Sequence, residues 1–162
     1  WAYTGGPKPI AYGPLGEVFV FVFFGLVAVG GSYYLQTLNL APAALIAGTL
    51  VGIHAAAVIT VNNYRDLDGD AKNGKNTLAV RLGRPAIRRL YAAEMLAPYA
   101  LLPLLGGLGW PAALPLLSLP LASRLIRRFF DEAPGPVFNN ILAATAGLQL
   151  AFALLLLLSF TI

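Results

Sequence analysis

An all-α integral membrane helical bundle is the fold class this sequence predicts, and three observations predict it. The chain has 162 residues of which 58% are hydrophobic and 11% charged, with a mean hydropathy of +0.73; soluble domains carry roughly 25% charged residues. Apolar runs near the ~20 residues that cross a bilayer recur along the chain. A helix is the natural reading of each, because in lipid it satisfies its own backbone hydrogen bonds. Finally, the charged residues collect in a few connections rather than scattering through the runs.

Five spans follow in order, at residues 15–36, 41–61, 87–108, 111–126 and 138–162. The first is uninterrupted and ends near Tyr33 and Tyr34, which suit a membrane interface. The second carries Gly48 and Gly52 in small-xxx-small spacing, with Ala44, Ala55 and Ala56 beside them, and predicts close approach to a neighbouring helix. The third holds Glu94 one or two turns in. The fourth is short and contains Pro111, Pro115 and Pro120, so it is expected to be kinked or partly broken. The fifth runs to the last residue. His54 lies about two turns before Asn62. A lone intramembrane histidine or glutamate is either a functional group or one hydrogen-bonded to a neighbouring helix, and both readings stand for His54 and Glu94.

If the spans alternate in direction, Lys8, the connection 62–86 and Arg124, Arg127 and Arg128 all share one side, so every Lys and Arg does. The connections "TLNLA" and "GGLGW" on the other side carry no charge. The positive-inside rule then places the charged side in the cytoplasm of a plasma-membrane protein, with Trp110 at the opposite interface. The sequence contains no cysteine, which excludes disulfides and thiolate chemistry. The net charge of +4 is small and forms no nucleic-acid stripe; anionic lipid heads or phosphate suit the basic residues better. No secretory leader opens the chain, and a start at Trp1 reads as a cut.

The most polar stretch is "NNYRDLDGDAKNGKNT" at residues 62–77, within a cap expected over 62–86. If the second helix continues past Val61, Asn62, Asp66 and Asp70 stack on one face at four-residue spacing. Two carboxylates so placed repel unless a cation lies between them. Oxygen ligands without histidine or cysteine favour a hard ion such as Mg²⁺, which takes one or two carboxylates together with water and phosphate oxygens. Arg65, Lys72, Lys75 and Arg81 would oppose a bare metal. A diphosphate resolves the conflict, because its charge is matched by metal on one side and basic side chains on the other. An EF-hand from Asp66 fails, since its glycine position is Ala71 and its closing glutamate position is Thr77. A solvated loop whose charges only fix topology is the plainer alternative.

The string "NNYRDLDGDAKNGKNTLAVRLG" resembles the second aspartate-rich motif of the UbiA superfamily of membrane prenyltransferases. Its "NGKNTLAVRLG" tail and "YTGGPKPIAYGPLGE" at residues 3–17 are most similar to the branch that prenylates 1,4-dihydroxy-2-naphthoate in menaquinone biosynthesis. The resemblance implies a nine-helix fold, of which this chain would hold helices five to nine. It implies that Asp66 and Asp70 bind Mg²⁺, that Asn62, Asn63 and Asp68 support them, and that Arg65, Lys72, Lys75 and Arg81 contact the diphosphate. The "YTGG" loop, with Tyr3, Gly5 and Gly6, would line the acceptor side. The partners would be a polyprenyl diphosphate, an aromatic acceptor and membrane lipid.

The family's first aspartate motif has no counterpart here, and "DEAPG" and "FNN" lack its spacing. That implies a missing N-terminal half, cut from a longer enzyme or supplied by a separate partner, and an inactive chain on its own. Two other classes remain: a transporter half with a charged gating loop, which would place charges deep in the spans, and a structural subunit that binds no diphosphate.

Overall fold

The computed structural model describes residues 5–7 and 9–162, all helix and connection, with no strand among them. After a short 3₁₀ turn at Ile10–Tyr12, helix α1 spans Gly16–Thr37. Its middle, Phe21–Gly30, winds as a π-helix. α2 spans Pro42–Lys72 and begins with proline in its first turn, where the missing N–H costs nothing. α3 spans Leu78–Leu101, capped by Thr77, whose Oγ1 accepts a hydrogen bond from the Val80 N–H at 3.3 Å.

Gly83 interrupts α3 with φ 74 and ψ 168, a conformation that a side chain would strain, and Pro85 restarts the helix. Beyond Leu101 the chain tightens into 3₁₀ segments at Leu102–Leu108 and Trp110–Ser118, then relaxes into α4 at Leu119–Asp131. α5 spans Phe138–Ser159.

Among the described residues, four helical segments are long and apolar enough to cross a membrane: Gly16–Thr37, Pro42–Lys72, Leu78–Leu108 and Phe138–Ser159. The fourth expected span is the irregular one, as its prolines foretold. Pro111 and Pro115 lie in the 3₁₀ stretch and Pro120 in the first turn of α4, so no single α-helix forms over 111–126. The cap is also shorter than the expected 62–86. α2 continues for three turns past Val61, α3 begins at Leu78, and the connection between them is residues 73–77.

α2 is the central helix, with 61% of its apolar window buried against protein, compared with 17% for α1 and 28% for α5. It packs on α1, α3 and α5. The crossing with α1 is made by glycines: a Cβ on Gly25 would lie 2.5 Å from the Gly48 carbonyl oxygen and 2.7 Å from the Gly52 Cα. Gly48 and Gly52 are therefore a packing face, and the neighbour they admit is the π-helical stretch of α1. Such close backbone approach maximises dispersion where lipid offers no hydrophobic drive.

An aromatic layer closes one end of the bundle. Tyr64 of α2, Tyr91 of α3, Phe129 of α4 and Phe138 of α5 are fully buried, with the Tyr91 and Phe129 rings stacked at 4.1 Å and Tyr64 tilted on Phe129 at 4.6 Å. Four elements thus meet directly beneath the polar end of α2.

Candidate active site

The polar end of α2 is helical through Lys72, so Asn62, Asp66 and Asp70 follow one another a turn apart. Arg65 organises the first two. Its Nε and Nη2 donate to both Asp66 oxygens at 2.8 and 2.7 Å, a two-pronged pair that a lysine could not make. Nη2 also donates to Asn62 Oδ1 at 2.9 Å, and Nη1 reaches across to Asn139 Oδ1 at the start of α5 at 2.7 Å. Asn139 belongs to the "FNN" run set aside in the sequence for lacking the spacing of a first aspartate motif. A polar pair opening an otherwise apolar helix was the signal available.

Asp70 is nearly buried, 6% exposed, and its Oδ1 meets the Lys75 ammonium at 2.7 Å. The turn that returns Lys75 is tied down by its own N–H donating to the Asp70 carbonyl at 3.0 Å. The hydrogen bond to Asp70 holds the Lys75 ammonium above the usual lysine range, with the Asp66 charge adding to it. The ammonium also lies 5.3 Å from the Tyr12 ring centre, and the Asn76 N–H donates to the Tyr12 carbonyl at 2.7 Å, so the Ile10–Tyr12 turn lies against this connection.

The other expected site residues divide. Asn63 points to α1, donating from Nδ2 to Glu17 Oε1 at 2.8 Å. Asp68 faces α3 and pairs with Arg84 at 2.8 Å, away from Asp66 and Asp70. Arg81 donates to Asn76 at 3.0 Å, while Lys72 is exposed with no ion pair among the described residues. Gly5 and Gly6 lie in bends, and Tyr3 lies outside the described residues.

Beneath the acids the bundle interior holds the buried polar side chains Glu17, Thr60, Glu94 and His54, and Glu17 Oε2 has no hydrogen bond among the described residues. The His54 ring meets Phe152 edge-on at 4.6 Å and Tyr99 at 5.7 Å, beside the Met95 backbone of α3. Glu17, buried to 5% exposure, escaped the sequence reading because it opens a span that otherwise looks uniformly apolar.

No three His, Cys, Asp or Glu side chains converge as a metal cluster among the described residues. The donor chemistry nonetheless fits a hard divalent ion that completes its shell with phosphate oxygens, because Asn62, Asp66 and Asp70 offer oxygen alone. The acids are balanced by Arg65 and Lys75, cations that also suit phosphate.

The fold and site define a helical membrane protein with an acid-and-cation cluster at one end of its bundle. A profile of the UbiA prenyltransferase family matches residues 1–143, and the chain belongs to that family. It is 39% identical over 155 residues to a 1,4-dihydroxy-2-naphthoate octaprenyltransferase of Mycobacterium leprae, covering 95% of this chain and 52% of that protein. The protein of the same name from Escherichia coli is 40% identical over 149 residues, covering 88% of this chain and 47% of its own length. Human UbiA prenyltransferase domain-containing protein 1 is 33% identical over 153 residues, covering 94% of this chain and 44% of its own. The chain spans about half the length of these curated relatives.

Proposed function

We propose that this chain forms part of an enzyme that transfers a polyprenyl group from its diphosphate to an aromatic acceptor, 1,4-dihydroxy-2-naphthoate, in menaquinone biosynthesis. The observation that carries the proposal is the pairing of Asp66 with Arg65 and of nearly buried Asp70 with Lys75 at the charged end of a central helix. Family membership and the names of the relatives support it.

Asn62, Asp66 and Asp70 would hold Mg²⁺, which when bound would neutralise charge on the diphosphate. Arg65 and Lys75 exchange their carboxylate partners for diphosphate oxygens, so that the departing pyrophosphate is met by cations already in place. Asn139 keeps the Arg65 fork aimed during the exchange. Lys72 and Arg81 add charge at the rim. The helix bundle beneath excludes water from the allylic cation left by ionisation, and the acceptor ring attacks it with loss of carbon dioxide. The charged end faces the cytoplasm of a plasma-membrane protein on this reading, as charge asymmetry requires. The remaining helices and a first aspartate motif would come from an N-terminal portion of a longer chain, in keeping with relatives about twice this length.

The test is turnover of the full-length protein. Asp66→Ala and Asp70→Ala each lower Mg²⁺-dependent prenyl transfer by roughly a hundredfold or more while membrane insertion persists, in line with the loss of charge stabilisation at a departing group. Turnover within a few-fold of wild type in both variants would overturn the assignment.

A further inference from the structure

We propose that a second anion site lies across α2 from the acids: a basic cleft that binds the phosphate of an anionic phospholipid headgroup. The cleft, about 310 Å³, is lined by Arg84, Arg88 and Arg89 of α3, Tyr64 of α2, Phe130 in the last turn of α4 and Pro134 just after it. On α2, Tyr64 and Asp68 lie one turn apart on one side. Asp66 falls about 200° round from Tyr64. The cleft therefore belongs to the opposite face from the proposed diphosphate site.

Its charge is uneven. Arg84 is engaged, donating to the Tyr64 carbonyl at 3.1 Å and to Asp68 at 2.8 Å. Arg88 uses only Nε, donating to the Tyr64 hydroxyl at 2.9 Å, and its two terminal nitrogens have no hydrogen bond among the described residues. Arg89 has no ion pair or side-chain hydrogen bond among them, and no carboxylate lines the cleft. Two guanidinium groups are left to serve an anion, each able to fork onto phosphate oxygens.

Two of the three arginines, Arg84 and Arg88, are also held. Arg84 stacks 4.9 Å from the Tyr64 ring centre, and Arg88 lies 5.8 Å from Tyr64 and 6.0 Å from Phe130. Charges that serve only to orient a membrane protein need no such fixing, and Arg124 and Arg127 show none. The break at Gly83 adds to the field, because Pro85 restarts α3 there and turns the first-turn N–H groups toward this end.

Phosphate explains the fork geometry, and the membrane explains the surroundings. The three arginines immediately precede the apolar run of α3, which on this proposal sets them beside the lipid phosphates. Phe130, 40% exposed at the rim, offers an apolar surface for the start of an acyl chain. The shared chemistry with a soluble phosphate is the anion itself, so the experiment must separate the two sources.

Full-length protein in neutral detergent is titrated with phosphatidylglycerol and with phosphatidylcholine, and retained lipid is counted by native mass spectrometry. Phosphatidylglycerol is retained roughly thirtyfold better, the scale expected for two basic residues at a membrane surface. R88Q/R89Q abolishes the preference while Mg²⁺-dependent binding of a prenyl diphosphate analogue persists. R124Q/R127Q, which removes equal charge outside the cleft, keeps the preference within about twofold. Should the double variant fail to insert, Arg89→Gln alone, at an exposed side chain with no hydrogen bond or ion pair among the described residues, lowers retention in the same direction.

Displacement of the lipid by millimolar inorganic phosphate would retain the anion site and transfer it to a soluble ligand. Equal losses in both double variants, or no preference for phosphatidylglycerol in the wild type, would overturn the proposal.

Discussion

Arg65 is the residue on which the proposed active site turns. It touches Asn62, Asp66 and Asn139 at once, spanning α2 and α5 with a single planar fork. Arg65→Lys keeps the charge and loses the fork, and is expected to weaken prenyl diphosphate binding by roughly tenfold in calorimetry. Asp68→Asn provides the contrast. Its carboxylate serves Arg84 on the other side of the helix, so turnover should stay within about threefold of wild type, the scale of an exposed ion pair. Equal losses in Asp68→Asn and Asp66→Ala would deny that position on α2 matters. The four-residue spacing of Asn62, Asp66 and Asp70 was legible in the sequence because helical periodicity is local. Asn139 was not, because its contact with Arg65 bridges 74 positions and depends on how α5 packs.

At the scale of elements, the Pro-rich segment and the small-residue face were both readable, since each follows from a single residue's geometry. What the sequence concealed was the π-helical stretch at Phe21–Gly30. The run "FVFFGLVAVG" is uniformly apolar, so no periodic pattern distinguishes a wide helix from an ordinary one. π-turns often occur at functional positions, and this one brings Gly25 onto Gly48 and Gly52. Gly25→Leu would drive a side chain into the α2 backbone and should cost about 3 kcal/mol, read as a lower unfolding midpoint in detergent. Gly107→Ala, where an added Cβ meets nothing within 4 Å, is the control. Equal melting of both variants would contradict the packing described for α1. The cap was expected to be longer because polar residues read as loop, whereas here they decorate helix that runs beyond the apolar window.

For the whole molecule, the gathering of charge at one end supports both the proposed topology and the proposed chemistry. The end of α2 meets the start of α5 there through Arg65 and Asn139, and meets α3 and α4 at the Tyr64 cleft. The connection at residues 38–41 carries no charge. Because the sequence has no cysteine, single cysteines at Asn73 and Asn39 can report sidedness directly. A membrane-impermeant maleimide should label Asn73→Cys only from the cytoplasmic side and Asn39→Cys only from outside. Labelling of both from one side would refute the alternating arrangement of α1 and α2. Fold class and family were legible throughout, since apolar length and a long polar motif survive in any portion of the chain. The depth and pairing of the interior groups Glu17, Thr60 and Glu94 were not, as they depend on three helices meeting.

The most direct test of the central claim is binding of a non-hydrolysable prenyl diphosphate to the full-length protein, measured by calorimetry with and without Mg²⁺. The wild type should bind only with the ion present, and the Asp66→Ala, Asp70→Ala double variant should bind in neither condition. Equal, metal-independent binding by both proteins would contradict it.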